Sequence, residues 1–223
     1  MTFSSCNPAT GVGFYSRPAW TPAQLDASIA ALRAVQPAWR RLPVAERGHA
    51  LRALSQQLLA HADELAGLIS SEVGKLLAEC RAEVEKSAKL CHYYADLAPE
   101  LLATQEIPTL ASRSGVSFEP LGLVLAVMPW NYPVWQVLRF AVPALAAGNA
   151  CLVKPAPSVP LTTERLLALV RAAGIDALDV AWIDTPQVEA AIAGCDAVAF
   201  AGSTHTGRRI AEACIKANPM KKV

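Results

Sequence analysis

From Leu121 to Val223, short apolar runs alternate with segments of helical period: GLVLAVMP, VWQVLRFAVPALAAGN, ACLVKP, LTTERLLALVRAAG, LDVAWIDT, PQVEAAIAG, DAVAFAG and STHTGRRIAEACIKA. A strand covered on both faces needs no polar alternation, so continuous runs of Val, Leu and Ala suit a parallel sheet. Helices between such strands act as crossovers and lie on the faces of the sheet. The pattern predicts an α/β fold with a Rossmann-like, doubly wound parallel sheet over residues 121–223.

The preceding residues have a different texture, and residues 1–103 are expected to form a mostly helical leader. Thr21-Pro22-Ala23-Gln24 is a capping box with Pro at the first helical position, followed by Leu25, Ile29, Leu32 and Val35 at helical spacing. A second helix is predicted from about Val44 to Val73, with Leu51, Leu54, Leu58, Leu59, Leu65 and Leu68 on its apolar face and Gly74 ending it. A third, from about Leu76 to Leu102, mixes Glu79, Glu83 and Glu85 with Arg81, Lys86 and Lys89, which reads as an exposed charged face. Residues 104–120 lose the helical period and read as a connector, with one strand at Val116 to Glu119.

A chain of 223 residues that is 53% hydrophobic can bury a sizeable core. Its 20 Lys and Arg against 19 Asp and Glu leave a formal charge of +1, so no global field recruits nucleic acid or a membrane surface, and a small-molecule partner is expected. The sequence contains no apolar stretch of membrane-spanning length and no charged-then-apolar leader. The six cysteines form no CxxC pair and no Cys/His spacing typical of zinc, so no metal site is expected and a reducing, cytoplasmic setting is.

Ligands of doubly wound sheets sit beyond the carboxyl ends of the strands, which singles out Pro129 to Pro133, Lys154 to Ser158, Asp184 to Pro186 and Gly202 to Gly207. Pro129 and Pro133 restrict the backbone on both sides of Asn131, whose amide could donate to a developing oxyanion or could cap the next helix. Lys154 ends the second apolar run, where it could meet a ribose or phosphate or simply reach water. Gly202-Ser203-Thr204-His205-Thr206-Gly207 follows a strand and opens a helix; it could hold a phosphate at a helix N-terminus or be an ordinary Gly-Ser cap. Cys151 and Cys195 flank strands and are expected to be buried and inert.

Three ordered motifs, MPWNYP (Met128 to Pro133), LAAGNACLVKPAP (Leu145 to Pro157) and FAGSTHTG (Phe200 to Gly207), together with SEVGK (Ser71 to Lys75), resemble those of the aldehyde dehydrogenase superfamily. The resemblance covers essentially the whole chain. It implies that Asn131 is the oxyanion-hole residue, that Pro129 and Trp130 lie by the nicotinamide end of a bound NADP or NAD, and that Lys154 reaches the adenosine ribose. Gly202 and Ser203 are implied to lie beside the pyrophosphate, and residues 104–120 to contribute an oligomerisation strand, with a homodimer or homotetramer as the expected assembly.

Two departures from the family pattern carry information. NAD-preferring members often have a glutamate three positions after the lysine; here that position is Pro157, so NADP is expected to be tolerated or preferred, as in the succinate-semialdehyde dehydrogenase branch. The family's general base, in a Glu-Leu-Gly-Gly stretch, and its cysteine nucleophile have no counterpart before Val223. The expectation is therefore a fragment, the cofactor-binding half of an enzyme that oxidises an aldehyde to its acid and that is inactive without the other half. A non-catalytic nucleotide-binding or interaction module is the alternative.

Overall fold

A computed structural model of the chain describes residues 2–223. The elements run β1 (Thr2–Cys6), β2 (Gly13–Pro18), α1 (Pro22–Arg41), α2 (Val44–Ala60), α3 (Ala62–Val73), α4 (Leu77–Leu101), β3 (Gln105–Glu106) and β4 (Gly115–Val116). They continue through β5 (Leu123–Val127), α5 (Trp135–Ala146), β6 (Ala150–Lys154), α6 (Pro160–Ala172), β7 (Leu178–Val180), α7 (Val188–Gly194), β8 (Ala197–Phe200) and α8 (Thr204–Ala217).

Strands β5 to β8 form one parallel sheet in the order β7-β6-β5-β8. The chain steps outward from β5 through β6 to β7, then returns to the other side of β5. With right-handed crossovers, this reversal puts α5 and α6 on one face and α7 on the other, and leaves a crevice at the carboxyl ends of β5 and β8. Consistent with that, α5 and α6 pack against α2, α3 and α4, whereas α7 packs with α1 and α8. Leu123, Leu125, Ala126, Leu152 and Val153 are fully or almost fully buried. The doubly wound α/β fold is as the sequence pattern predicts.

The leader follows its caps. Thr21 accepts from the Gln24 amide and Gln24 reaches back to the Thr21 amide, so α1 starts with a complete capping box. Gly74 ends α3 with φ of 79°, a left-handed conformation in which a side chain would also strike Pro8.

Four local expectations are corrected. Residues 2–18 are a β-hairpin, in which Phe3 and Ser5 point inward and their neighbours outward, an alternation that the helical reading of the leader overlooked. The helix predicted from Val44 to Val73 breaks at His61, whose ψ of 21° departs from helix, and Leu59 is exposed. The connector strand is Gly115–Val116, paired with Gln105–Glu106, and stops short of Glu119. Glu83, placed by pattern on an exposed charged face, is buried, because its carboxylate is needed inside the fold.

Candidate functional site

Lys154 stands at the last position of β6, where its ammonium donates to the Pro155 carbonyl at 3.1 Å and lines a cleft with Val127, Thr185, Glu189, Thr206 and Arg209. It is not a strand-end lysine reaching bulk water. Burial lowers its pKa from the ordinary lysine value, and the nearby Asp184 carboxylate works against that shift. Ile192, Ile210 and Ala213 supply apolar walls, so the cleft pairs hydrophobic sides with cationic and hydroxyl donors. That donor set suits a flat heteroaromatic ring carrying an anionic or hydroxylated sugar.

The Pro129–Pro133 segment forms the turn between β5 and α5. Asn131 does not cap α5; Val134 holds the cap position, and the Asn131 side chain is exposed with no hydrogen bond among the described residues. Its amide is thus uncommitted. Trp130 is 53% exposed beside it, and Pro129 is half-buried. These three residues lie beyond the end of β5 and do not line the Lys154 cleft.

Ser203 caps α8, its hydroxyl accepting from the Thr206 amide at 3.3 Å, so the plain capping reading of that side chain holds. Gly202 is explained by close approach: a Cβ there would meet the Phe200 ring at 2.6 Å, and one on Gly207 would meet it at 3.2 Å. The ring of Phe200 lies under the loop, and both glycines make room for it.

Two buried carboxylates shape what remains available. Glu83 Oε1 accepts from the Val134 and Trp135 amides, both at 3.0 Å, while Lys75 Nζ holds Oε2 at 2.6 Å. Glu72 accepts from the Leu161 and Thr162 amides, both at 2.9 Å, and from the Ser5 hydroxyl. The first turns of α5 and α6 are therefore already neutralised by protein carboxylates. Of the helices that directly follow β5, β6 and β8, only α8 begins without one, which leaves its N-terminus as the one able to favour a phosphate.

A family model described as the aldehyde dehydrogenase family matches residues 1–223. The chain belongs to the aldehyde dehydrogenase family. It is 41% identical over 174 residues to a probable succinate-semialdehyde dehydrogenase [NADP(+)] of Synechocystis, an alignment that covers 78% of this chain and 38% of that protein. It is 34% identical over 214 residues to the succinate-semialdehyde dehydrogenase [NADP(+)] of Deinococcus radiodurans, covering 94% and 45%. Its fold superposes with a TM-score of 0.93, at 28% identity, on succinic semialdehyde dehydrogenase from Streptococcus pyogenes in complex with NADP+, covering 99% of this chain and 49% of that one. The chain thus spans less than half the length of these relatives.

Within this chain of the aldehyde dehydrogenase family, sequence reasoning placed Thr206 only within the Gly202–Gly207 loop and missed Arg209, Glu72 and Glu83. Thr206, Arg209, Ile210 and Ala213 recur at helical spacing, a signal that could have put them on one face of α8, toward the cleft. Nothing in the sequence distinguishes the buried glutamates from the solvated acids around them. Cys151 and Cys195 are buried as expected; burial pushes the Cys195 thiol up to about 12 and raises the Cys151 thiol as well. No cluster of metal-binding side chains and no helix long and apolar enough to cross a membrane occurs among the described residues.

Proposed function

We propose that this chain supplies the NADP-binding part of an aldehyde dehydrogenase whose complete form oxidises an aldehyde of the succinate semialdehyde class to the carboxylic acid. The observation that carries this reading is the cleft at the carboxyl end of β6. Two cations, Lys154 and Arg209, line it beside a loop whose Pro157 offers no carboxylate to repel a 2′-phosphate. Glu189, the one acid in the lining, faces Lys216 at 3.7 Å, and Asp184 lies near Lys154. NAD, lacking the 2′-phosphate, fits the same apolar walls with one attraction fewer. The names of the Synechocystis and Deinococcus relatives support the same cofactor and substrate.

The bound nicotinamide would supply the hydride acceptor. Lys154 would hold the adenosine ribose and its phosphate, and the α8 N-terminus with Gly202 and Ser203 would face the pyrophosphate. Pro129 and Trp130 would border the nicotinamide end, and the uncommitted Asn131 amide would donate to the substrate oxygen as negative charge develops on it. The nucleophile and general base belong to the other half of such an enzyme. Residues 1–103 act as a leader, 104–120 as a connector and 121–223 as the nucleotide-binding region. The exposed Ile107, Leu110, Val116 and Phe118 support a homodimer or homotetramer formed through the β3–β4 arm.

A nucleotide-binding module without catalysis is the second reading; five of the six cysteines are buried, and burial raises their pKa values. Calorimetric titration of the chain with NADP, NAD and adenosine 2′,5′-bisphosphate tests the first claim. Binding of NADP more tightly than NAD, lost in Lys154→Met, supports it; tighter binding of NAD overturns the NADP assignment. Turnover of succinate semialdehyde by the chain joined to a catalytic half separates enzyme from module.

A further inference from the structure

The segment from Lys154, at the end of β6, to Pro160, at the start of α6, contains three residues, Pro155, Pro157 and Pro160, that have no amide hydrogen to donate. Its internal support is correspondingly thin: one backbone bond, Val159 to Ala156 at 3.4 Å, and the Lys154 ammonium on the Pro155 carbonyl at 3.1 Å. The remaining constraints come from elsewhere in the chain. The Ser4 amide of β1 donates to the Pro157 carbonyl at 3.0 Å. The neighbouring Ser5, fully buried, donates its hydroxyl to Glu72 Oε1. That same carboxylate, only 6% exposed, takes the Leu161 and Thr162 amides in the first turn of α6, just past the loop. Pro8, in the hairpin turn, lies against Gly74 just after Glu72's helix.

We propose that Ser5 and Glu72 are positioning residues for the nucleotide: β1, which takes the Pro157 carbonyl, and the buried carboxylate form a clamp that holds residues 154–162 in the shape in which Lys154 faces the ribose. This rests on the reading of that loop as the adenosine site. A loop with few hydrogen bonds of its own must be ordered when the ligand binds unless something orders it beforehand, and that ordering cost is subtracted from affinity. Neither Ser5 nor Glu72 touches the cleft, so their effect runs through the loop. Because Lys154, at the start of the loop, is the cation assigned to the 2′-phosphate, disorder of the loop weakens recognition of that group more than of the rest of the nucleotide.

The test uses the 223-residue chain, with Ser5→Ala and Glu72→Gln as variants. Ser5→Ala deletes one donor; Glu72→Gln turns one acceptor into a donor facing an amide. Adenosine 2′,5′-bisphosphate and 5′-AMP are titrated well below the melting temperature of each variant, and amide exchange is followed at Leu161 and Thr162. The expected result is faster exchange at both amides, with binding of the bisphosphate about tenfold weaker and of 5′-AMP weakened less. Partial unfolding would lower the apparent binding of both probes by one common factor, so the change in their ratio isolates positioning. Unchanged affinities in both variants overturn the proposal. Failure of the parent chain to bind either probe overturns the functional reading instead, and the exchange rates alone then decide whether the clamp orders the loop.

Discussion

Lys75 and Glu83 form an ion pair of 2.6 Å in which the carboxylate side chain is only 1% exposed, and the same ammonium lies 3.6 Å from the centre of the Tyr132 ring. One contact therefore ties the leader to the turn that carries Asn131. Removing one member of a buried pair strands the other, at a cost of about 3 kcal/mol. Lys75→Met is expected to lower the unfolding free energy in a urea titration by about that much, and the double variant Lys75→Met/Glu83→Gln to recover part of the loss. A Lys75→Met chain as stable as the parent would contradict this account of the pair.

Asn131 is expected to behave in the opposite way. Its side chain is exposed and unbonded, so Asn131→Ala leaves stability within about 0.5 kcal/mol of the parent. In the complete enzyme, the same change is expected to lower kcat about a hundredfold or more, as loss of an oxyanion donor does. Denaturation and steady-state kinetics on the same variant check both halves, and a large stability loss would return Asn131 to a structural role.

The contact between Gly202 and Phe200 predicts a steric coupling. Gly202→Ala puts a methyl group 2.6 Å from the Phe200 ring, an overpacking expected to cost about 1–3 kcal/mol. Phe200→Leu shortens the obstacle, and the double variant should cost less than the sum of the two single changes. Additive melting data would show that the loop relaxes away from the ring.

Nucleotide binding should depend on alkaline pH through Lys154. Burial holds its folded pKa below the usual 10.5, so the ammonium that attracts a 2′-phosphate is lost earlier than a solvated lysine would lose it. Affinity for adenosine 2′,5′-bisphosphate is expected to fall as pH rises through that lowered pKa, and Lys154→Met to flatten the profile. Stability of the unliganded chain has the opposite sign. Between the folded pKa and 10.5 the unfolded chain holds more protons, so the cost of burying the charge is relieved as pH rises.

Thiol reactivity should separate Cys6 from the other five. Cys6 is exposed, while Cys80, Cys91, Cys151, Cys195 and Cys214 are buried and burial raises their pKa values. A colourimetric disulfide reagent is expected to titrate one thiol quickly in the native chain and all six after denaturation.

The sheet and its site loops were legible because their signals are local. Buried parallel strands need unbroken apolar runs, and each loop in which Asn131, Lys154 or Ser203 sits follows such a run at once. The hairpin was harder to see, since Phe3 and Ser5 alternate with Thr2, Ser4 and Cys6 over one short strand whose partner face is supplied by residues far along the chain, such as Trp182. Glu72 and Glu83 were not legible at all. A glutamate in a helix is marked as buried only by what it meets, and the backbone amides they accept from lie 51 to 90 positions away in sequence. The α8 face that carries Arg209 falls between these cases, with a periodicity visible in the residues but no indication of which side would face a ligand.

The two buried glutamates also bear on how this protein can be recombined. A chimera joined between residues 103 and 104 would look conservative, because it exchanges whole helices and leaves the sheet untouched. Yet the donor leader must place an acid under α5 and another under α6, with a lysine able to neutralise the first. A leader lacking either would leave amides unsatisfied at the start of a helix bordering the crevice, so crossover points chosen from secondary structure alone would cut through the wiring rather than beside it.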